Sequence, residues 1–112
     1  GILKESKNLI EHLKFSVTDF DVIIGPSIQN CCFEVSDDVI GQFNLNFIDK
    51  KNNGKYRVNL QKSALSELEN LGFRKEKINS SSICTFCSEN KFHSYRRDGK
   101  KAGRMIGLFG LT

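Results

Sequence analysis

Gly25-Pro26-Ser27-Ile28-Gln29-Asn30-Cys31-Cys32-Phe33-Glu34-Val35 is the stretch that organises this chain. It follows Phe20-Asp21-Val22-Ile23-Ile24, a β-branched run whose composition predicts a short buried strand. Pro26 biases Gly25 away from helix, so the strand ends there. A loop leaving a strand end is a frequent place for a ligand, and Gly25 permits close backbone approach. It is not a phosphate loop, because the Gly-x-x-x-x-Gly-Lys pattern is missing. A plain turn accounts for the same residues.

Upstream, residues 2–15 form an amphipathic helix on the pattern Ile2, Leu3, Leu9, Ile10, Leu13, with Lys and Glu between. No capping residue precedes it, as expected of a cut inside a larger protein. Downstream, Ser36, Asp37 and Asp38 cap a helix running to about Asn44. Phe47 and Ile48 start a strand, Asn52-Asn53-Gly54 turns, and residues 55–60 return as a second strand. Ala64, Leu65, Leu68 and Leu71 share one face of a helix over 61–71, with Gly72 at its C-terminal end. Residues 81–85 read as a strand, and 92–97 with 104–111 as a hairpin around a loop at 98–103. Strands and helices mix without strict alternation, which predicts an α+β fold.

The chain has 112 residues, 38% hydrophobic and 27% charged, which bounds it to one folded unit with a real core. No apolar run approaches the roughly 20 residues a membrane helix needs, and no secretory leader opens the chain. A cytoplasmic protein with reduced thiols is the expectation.

Several side chains invite chemistry. Cys84 and Cys87 have the C-x-x-C spacing of a thiolate pair. A closed zinc site needs two more ligands, and adjacent Cys31 and Cys32, if extended, point to opposite faces. Cys31 or Cys32 with His93 would make a thiolate and base, though buried structural thiols are the commoner outcome. His12 falls on the polar side of the first helix. Lys91, Arg96, Arg97, Lys100, Lys101 and Arg104 concentrate positive charge opposed only by Asp98. On a strand, one of Arg96 and Arg97 faces inward and must be anchored by a carboxylate, a phosphate or carbonyls. Asp98 stands too close in sequence to be the obvious partner.

Gly25 to Val35, then Cys84-Thr85, then Phe92-His93-Ser94-Tyr95-Arg96-Arg97-Asp98-Gly99 and Gly103-Arg104, in this order, resemble the C-terminal half of the laccase-domain family. Members are called polyphenol oxidases and act as zinc-dependent purine nucleoside phosphorylases. The resemblance spans nearly the whole chain. It implies that residues 1–112 are the C-terminal part of a single domain, with layered mixed β-sheets covered by helices, an incomplete portion of a larger two-sheet fold. It implies phosphorolysis of adenosine or inosine, with adenosine deamination, at a zinc ion held by two His and one Cys. Those ligands lie in upstream segments (His-Ala-Gly-Trp-Arg-Gly, Ala-Asp-Cys and a further His) that do not map here. Zinc is therefore a cofactor of the full-length protein, and no catalytic or metal-ligating residue is assigned in this chain. Ser27, Arg96 and Arg97 are the candidate substrate-binding residues for purine nucleoside and phosphate, and His93, at a variable motif position, is not made a ligand. Alone, the piece is expected to be inactive and, with open sheet edges and uncovered apolar faces, to self-associate. The competing interpretations are a small basic module holding nucleic acid through Lys91 to Arg104 with Phe92 and Tyr95, and a structural zinc ribbon.

Overall fold

The computed structural model describes residues 1–50 and 53–111. The fold is α+β. Helix α1 (Ile2–His12) opens it. Strand β1 (Val22–Ile24) pairs in parallel with β5 (Ile78–Ser80), with Val22 opposite Ile78 and Ile24 opposite Ser80. Between them in sequence come the strands of an antiparallel sheet of order β2 (Glu34–Val35), β4 (Tyr56–Val58), β3 (Ile48–Lys50). Helix α2 (Asp37–Ile40) follows β2, α3 (Leu60–Asn70) follows β4, and α4 (Tyr95–Asp98) comes late.

The main core is where α1, α3 and the parallel pair meet. Val17, Leu68 and Phe73 are buried there, packed by Leu3, Ile10, Val22, Ile24, Leu71 and Ile78. Strand alternation explains the split within β1: Val22 and Ile24 turn inward while Ile23 stays 75% exposed. A second buried point is Val58 of β4, fully enclosed beside the buried Val35 of β2.

Helix α3 forms as the leucine spacing predicts. Asn59 Oδ1 accepts from the Lys62 amide at 2.9 Å, and Gly72, at φ +98°, turns the chain so that the Phe73 amide reaches the Leu68 carbonyl. Helix α1 stops earlier than residue 15. Lys14 adopts φ 66°, and the Phe15 amide reaches back to the Ile10 carbonyl, a left-handed cap built without glycine. The helix expected over 36–44 is only Asp37–Ile40, because Asn44 accepts from the Asn46 amide and caps a new 3-10 turn, Leu45–Phe47. The turn expected at 52–54 agrees with Gly54 at φ +74°, while Asn52 lies outside the described residues.

The C-terminal hairpin does not form. Ser94 Oγ accepts from the Arg97 amide at 3.3 Å and the Ser94 carbonyl takes the Asp98 amide, so 95–98 coil into α4. A 3-10 turn, Gly99–Lys101, follows, and 104–111 carry no strand pairing. The Ser94 cap is what turns the expected first arm of the hairpin into a helical turn. Residues 81–85 likewise form a single parallel bridge, Ser27 with Cys84, rather than a strand.

The chain is spread out for its size. Its radius of gyration is 16.0 Å, against about 13 Å for a compact domain of this length. Its accessible surface is 8544 Å², against about 6,200 Å² for a folded monomer of this mass. Ile2, Ile106, Leu108, Phe109 and Leu111 are each more than 80% exposed. Much apolar side-chain surface is thus left uncovered.

Candidate functional site: a cleft beside four converging thiols

Parallel neighbours β1 and β5 send their following loops off the same edge of the sheet. Those loops, 25–33 and 81–94, therefore run side by side. The bridge between Ser27 and Cys84, with the Thr85 amide donating to the Ser27 carbonyl at 3.1 Å, continues the parallel pairing past the strand ends. The cleft, apart from Met105, and the cysteine cluster both sit on this pair of loops and on α4.

A shallow cleft of about 340 Å³ opens between them, lined by Pro26, Ser27, Ile28, Phe33, Thr85, His93, Ser94, Tyr95, Arg96 and Met105. Ser27 and Arg96, 69 positions apart in sequence, both face it. Ser27 Oγ accepts from Gln29 Nε2 at 3.2 Å. Arg96 is exposed, lies 5.0 Å over the Phe33 ring, and donates to the Glu34 carbonyl at 2.8 Å. An arginine held by its own ring and carbonyl is pre-oriented for an anion. Gly25 contributes no close approach, since a Cβ built there meets nothing within 4 Å.

Arg97 has a different place. It turns away from the cleft, and its five N–H groups are all engaged. Nε and Nη2 bind the Asp98 carboxylate at 3.0 and 2.8 Å. Nη1 donates to the Thr85 and Phe86 carbonyls at 2.9 and 3.0 Å, and Nη2 to the Phe92 carbonyl at 2.9 Å. Asp98 is its partner after all, because the helical turn of α4 brings the adjacent side chains to one side. The Arg97 hydrogen bonds hold the Asp98 carboxyl below its ordinary range, and Asp98 in turn raises the guanidinium. Arg97 is thus the anchored member of the pair, a clamp on loop 85–92.

His93 bonds the backbone rather than a thiol: its Nδ1 accepts from the Gly103 amide at 3.3 Å, which places the neutral ring's proton on Nε2. The ring fills the space over Gly103, where an added Cβ would stand 2.6 Å from ring atoms. Gly103→Ala is expected to swing the imidazole out of the cleft and break that bond. The imidazole nitrogen shifts of His93 by NMR check this, with little expected change in stability.

The four cysteines converge. Their Sγ atoms lie within 4.8 Å of one another, with Cys31 at 3.8 Å and Cys32 at 3.3 Å from Cys87. Cys31 and Cys32 do not point apart, because the chain is not extended there. The Cys32 and Phe33 amides both bond the Gln29 carbonyl, closing a tight turn that swings both thiols to one side. A matching turn, Ser88 amide to Cys84 carbonyl, presents Cys84 and Cys87. Burial works hardest on the Cys84 thiol and pushes it up, but hydrogen bonds from the Gln29 and Cys87 amides and the Cys31 and Cys87 thiols together pull it down to about 6. Burial raises Cys31 and Cys32, with Cys87 adding to both. Among the described residues this is the gathering of three or more His, Cys, Asp or Glu donors that could hold a metal ion.

Comparison with known proteins agrees with this architecture. A purine nucleoside phosphorylase of Staphylococcus aureus is 29% identical over 110 residues, covering 93% of this chain and 41% of the relative. The crystal structure of YfiH from Bacillus licheniformis superposes with a TM-score of 0.79 at 29% identity, over 86% of this chain and 39% of that one. YlmD from Geobacillus stearothermophilus gives 0.76 at 27% identity, over 86% and 38%. The chain therefore spans about two-fifths of the length of the relatives it matches. The family model described as multi-copper polyphenol oxidoreductase laccase matches residues 1–112. A multi-copper set relies on imidazoles, and the two histidines here, His12 on the exposed side of α1 and His93 bonded to Gly103, do not supply one. With its full length matched and its fold shared, the chain belongs to the multi-copper polyphenol oxidoreductase laccase family.

Proposed function

We propose that residues 1–112 form the C-terminal part of a single purine nucleoside phosphorylase domain, and that the cleft of Ser27 and Arg96 is one wall of its substrate pocket. The observation that carries this is the meeting of those two residues at the shared edge of two parallel strands, in a chain whose relatives are named purine nucleoside phosphorylases. In phosphorolysis a phosphate oxygen bonds to the ribose C1′ as the glycosidic bond breaks, and the purine leaves with a proton. Arg96 would hold the phosphate through its planar fork. Ser27 would hydrogen-bond the ribose or phosphate, and Phe33 and Tyr95 would pack against the nucleoside. Arg97 would act behind the wall, keeping Thr85 and Ser94 in register. The substrates are inosine and adenosine, with adenosine deamination as a second reaction of the same pocket. The catalytic zinc of the whole protein would be held by residues outside this chain, and no step here runs through it. Free thiols suit the cytoplasm. Nucleic acid is not favoured, because Arg97 is withdrawn from the basic cluster by Asp98 and carbonyls.

The test is an assay of base release from inosine and adenosine with phosphate. The 112-residue chain alone is expected to show background rates and, by light scattering, to self-associate through its uncovered apolar surface. Supplied with the N-terminal three-fifths of a staphylococcal relative, it is expected to gain activity. In that assembly Arg96→Ala should raise the KM for phosphate about 10-fold with a smaller change in kcat. Turnover by the chain alone, or a phosphate KM indifferent to Arg96, would sink the proposal.

A further inference from the structure

Phosphorolysis as proposed uses none of the four thiols. We propose that Cys31, Cys32, Cys84 and Cys87 bind one zinc-class divalent cation in a closed, four-sulfur structural site that staples loop 25–33 to loop 81–94. The dimensions fit. A tetrahedron with metal–sulfur bonds of about 2.3 Å has edges of about 3.8 Å. The Cys31–Cys87 separation is 3.8 Å, the Cys32–Cys87 separation 3.3 Å, and all four atoms lie within 4.8 Å of one another. Closure around an ion then asks for side-chain shifts of about 1 Å or less.

The donor set specifies the ion. Four sulfurs and no carboxylate or imidazole exclude calcium- and magnesium-type hard cations and select a thiophilic one. Four protein ligands leave no position for water, which makes the site structural.

The surroundings are those of a held metal rather than of spare thiols. The Gln29 amide donates to Cys84 Sγ at 3.4 Å, the kind of backbone bond that orients a ligating thiolate. Arg97 grips the Thr85 and Phe86 carbonyls, the two residues between Cys84 and Cys87, and so fixes the bite of that pair. Both loops are otherwise poor in regular structure, with one bridge between them. A cation tying cysteines 55 positions apart would restrain a long loop that the apolar core does not reach. A disulfide between Cys32 and Cys87 would use two sulfurs and leave Cys84, buried and already hydrogen-bonded, without a role.

The experiment uses the 112-residue chain, purified reduced and titrated with zinc alone and with cobalt(II) alone. One zinc per chain is expected to survive dialysis. Cobalt should give the strong visible bands and sulfur-to-metal charge transfer of a tetrahedral four-thiolate site. All four thiols should resist a thiol reagent until a chelator removes the metal, and then react together, a readout that needs no substitution. Cys32→Ser combined with Cys87→Ser should weaken zinc binding by about 100-fold or more and remove the charge-transfer bands. Thiols that react alike with and without saturating zinc would overturn the assignment. So would an octahedral cobalt spectrum, a Cys32–Cys87 disulfide that forms despite saturating zinc once the reductant is removed, or unchanged zinc retention in the double variant.

Discussion

Arg97→Ala is expected to lower the melting temperature by about 10 °C or more, the largest effect of any exchange outside the apolar core. The truncation strips three carbonyls, those of Thr85, Phe86 and Phe92, of their donor and leaves Asp98 without its ion-pair partner. Loop 85–92 then has no anchor to α4. Arg97→Lys should recover little, since one ammonium offers three donors from a single point and cannot span five acceptor directions held by a planar fork. Arg96→Ala is the control. Its guanidinium makes one carbonyl bond and one ring contact at the surface, so stability should change little while phosphate binding suffers. Thermal melts of the three variants by circular dichroism decide the matter. Equal losses at 96 and 97 would mean that the clamp is not the structural one.

Phe73→Ala should cost about 3 kcal/mol of unfolding free energy, in the range found when a large core side chain is truncated. Phe73 is 7% exposed and lies against Val17 and Leu68 in the cluster that joins α1, α3 and the parallel pair. Its neighbours are held on separate elements, Val17 before β1 and Leu68 on α3, so the void would not collapse easily. Phe109→Ala, at a residue 90% exposed, should stay within about 0.5 kcal/mol of the parent. The shift in urea midpoint at constant slope gives both numbers.

Local chemistry was the part of the fold legible in the sequence. The leucine spacing of 64–71 followed by Gly72 produced α3, the β-branched run before Gly25-Pro26 produced β1, and residues 55–60 produced β4. Where two local signals competed, the hairpin reading lost. Residues 92–97 suggest one arm of a hairpin, yet Ser94 supplies a cap and Arg97 with Asp98 closes a turn, so 95–98 are helical. Long-range placement was not legible. The rule that Cys31 and Cys32 diverge holds only for extended chain, and the turn on the Gln29 carbonyl has no signature in the sequence. Nor does any spacing announce that β1 and β5 lie side by side, which is what sets Cys84 next to Ser27. Of the three residues proposed for substrate, Ser27 and Arg96 share the cleft, while Arg97 is occupied behind it.

Each member of the parallel pair is entered through a 3-10 turn, Val17–Asp19 before β1 and Lys75–Lys77 before β5, and Lys77 Nζ donates to the Asp19 carbonyl across that end. One extremity of the ribbon therefore carries the fold and the opposite extremity carries the reactive groups. Labour so divided makes the molecule evolvable: exchanges at the cleft positions Ser27 and Arg96 can alter what is bound while the Arg97 clamp is kept, whereas exchanges at the entry turns are penalised through folding alone.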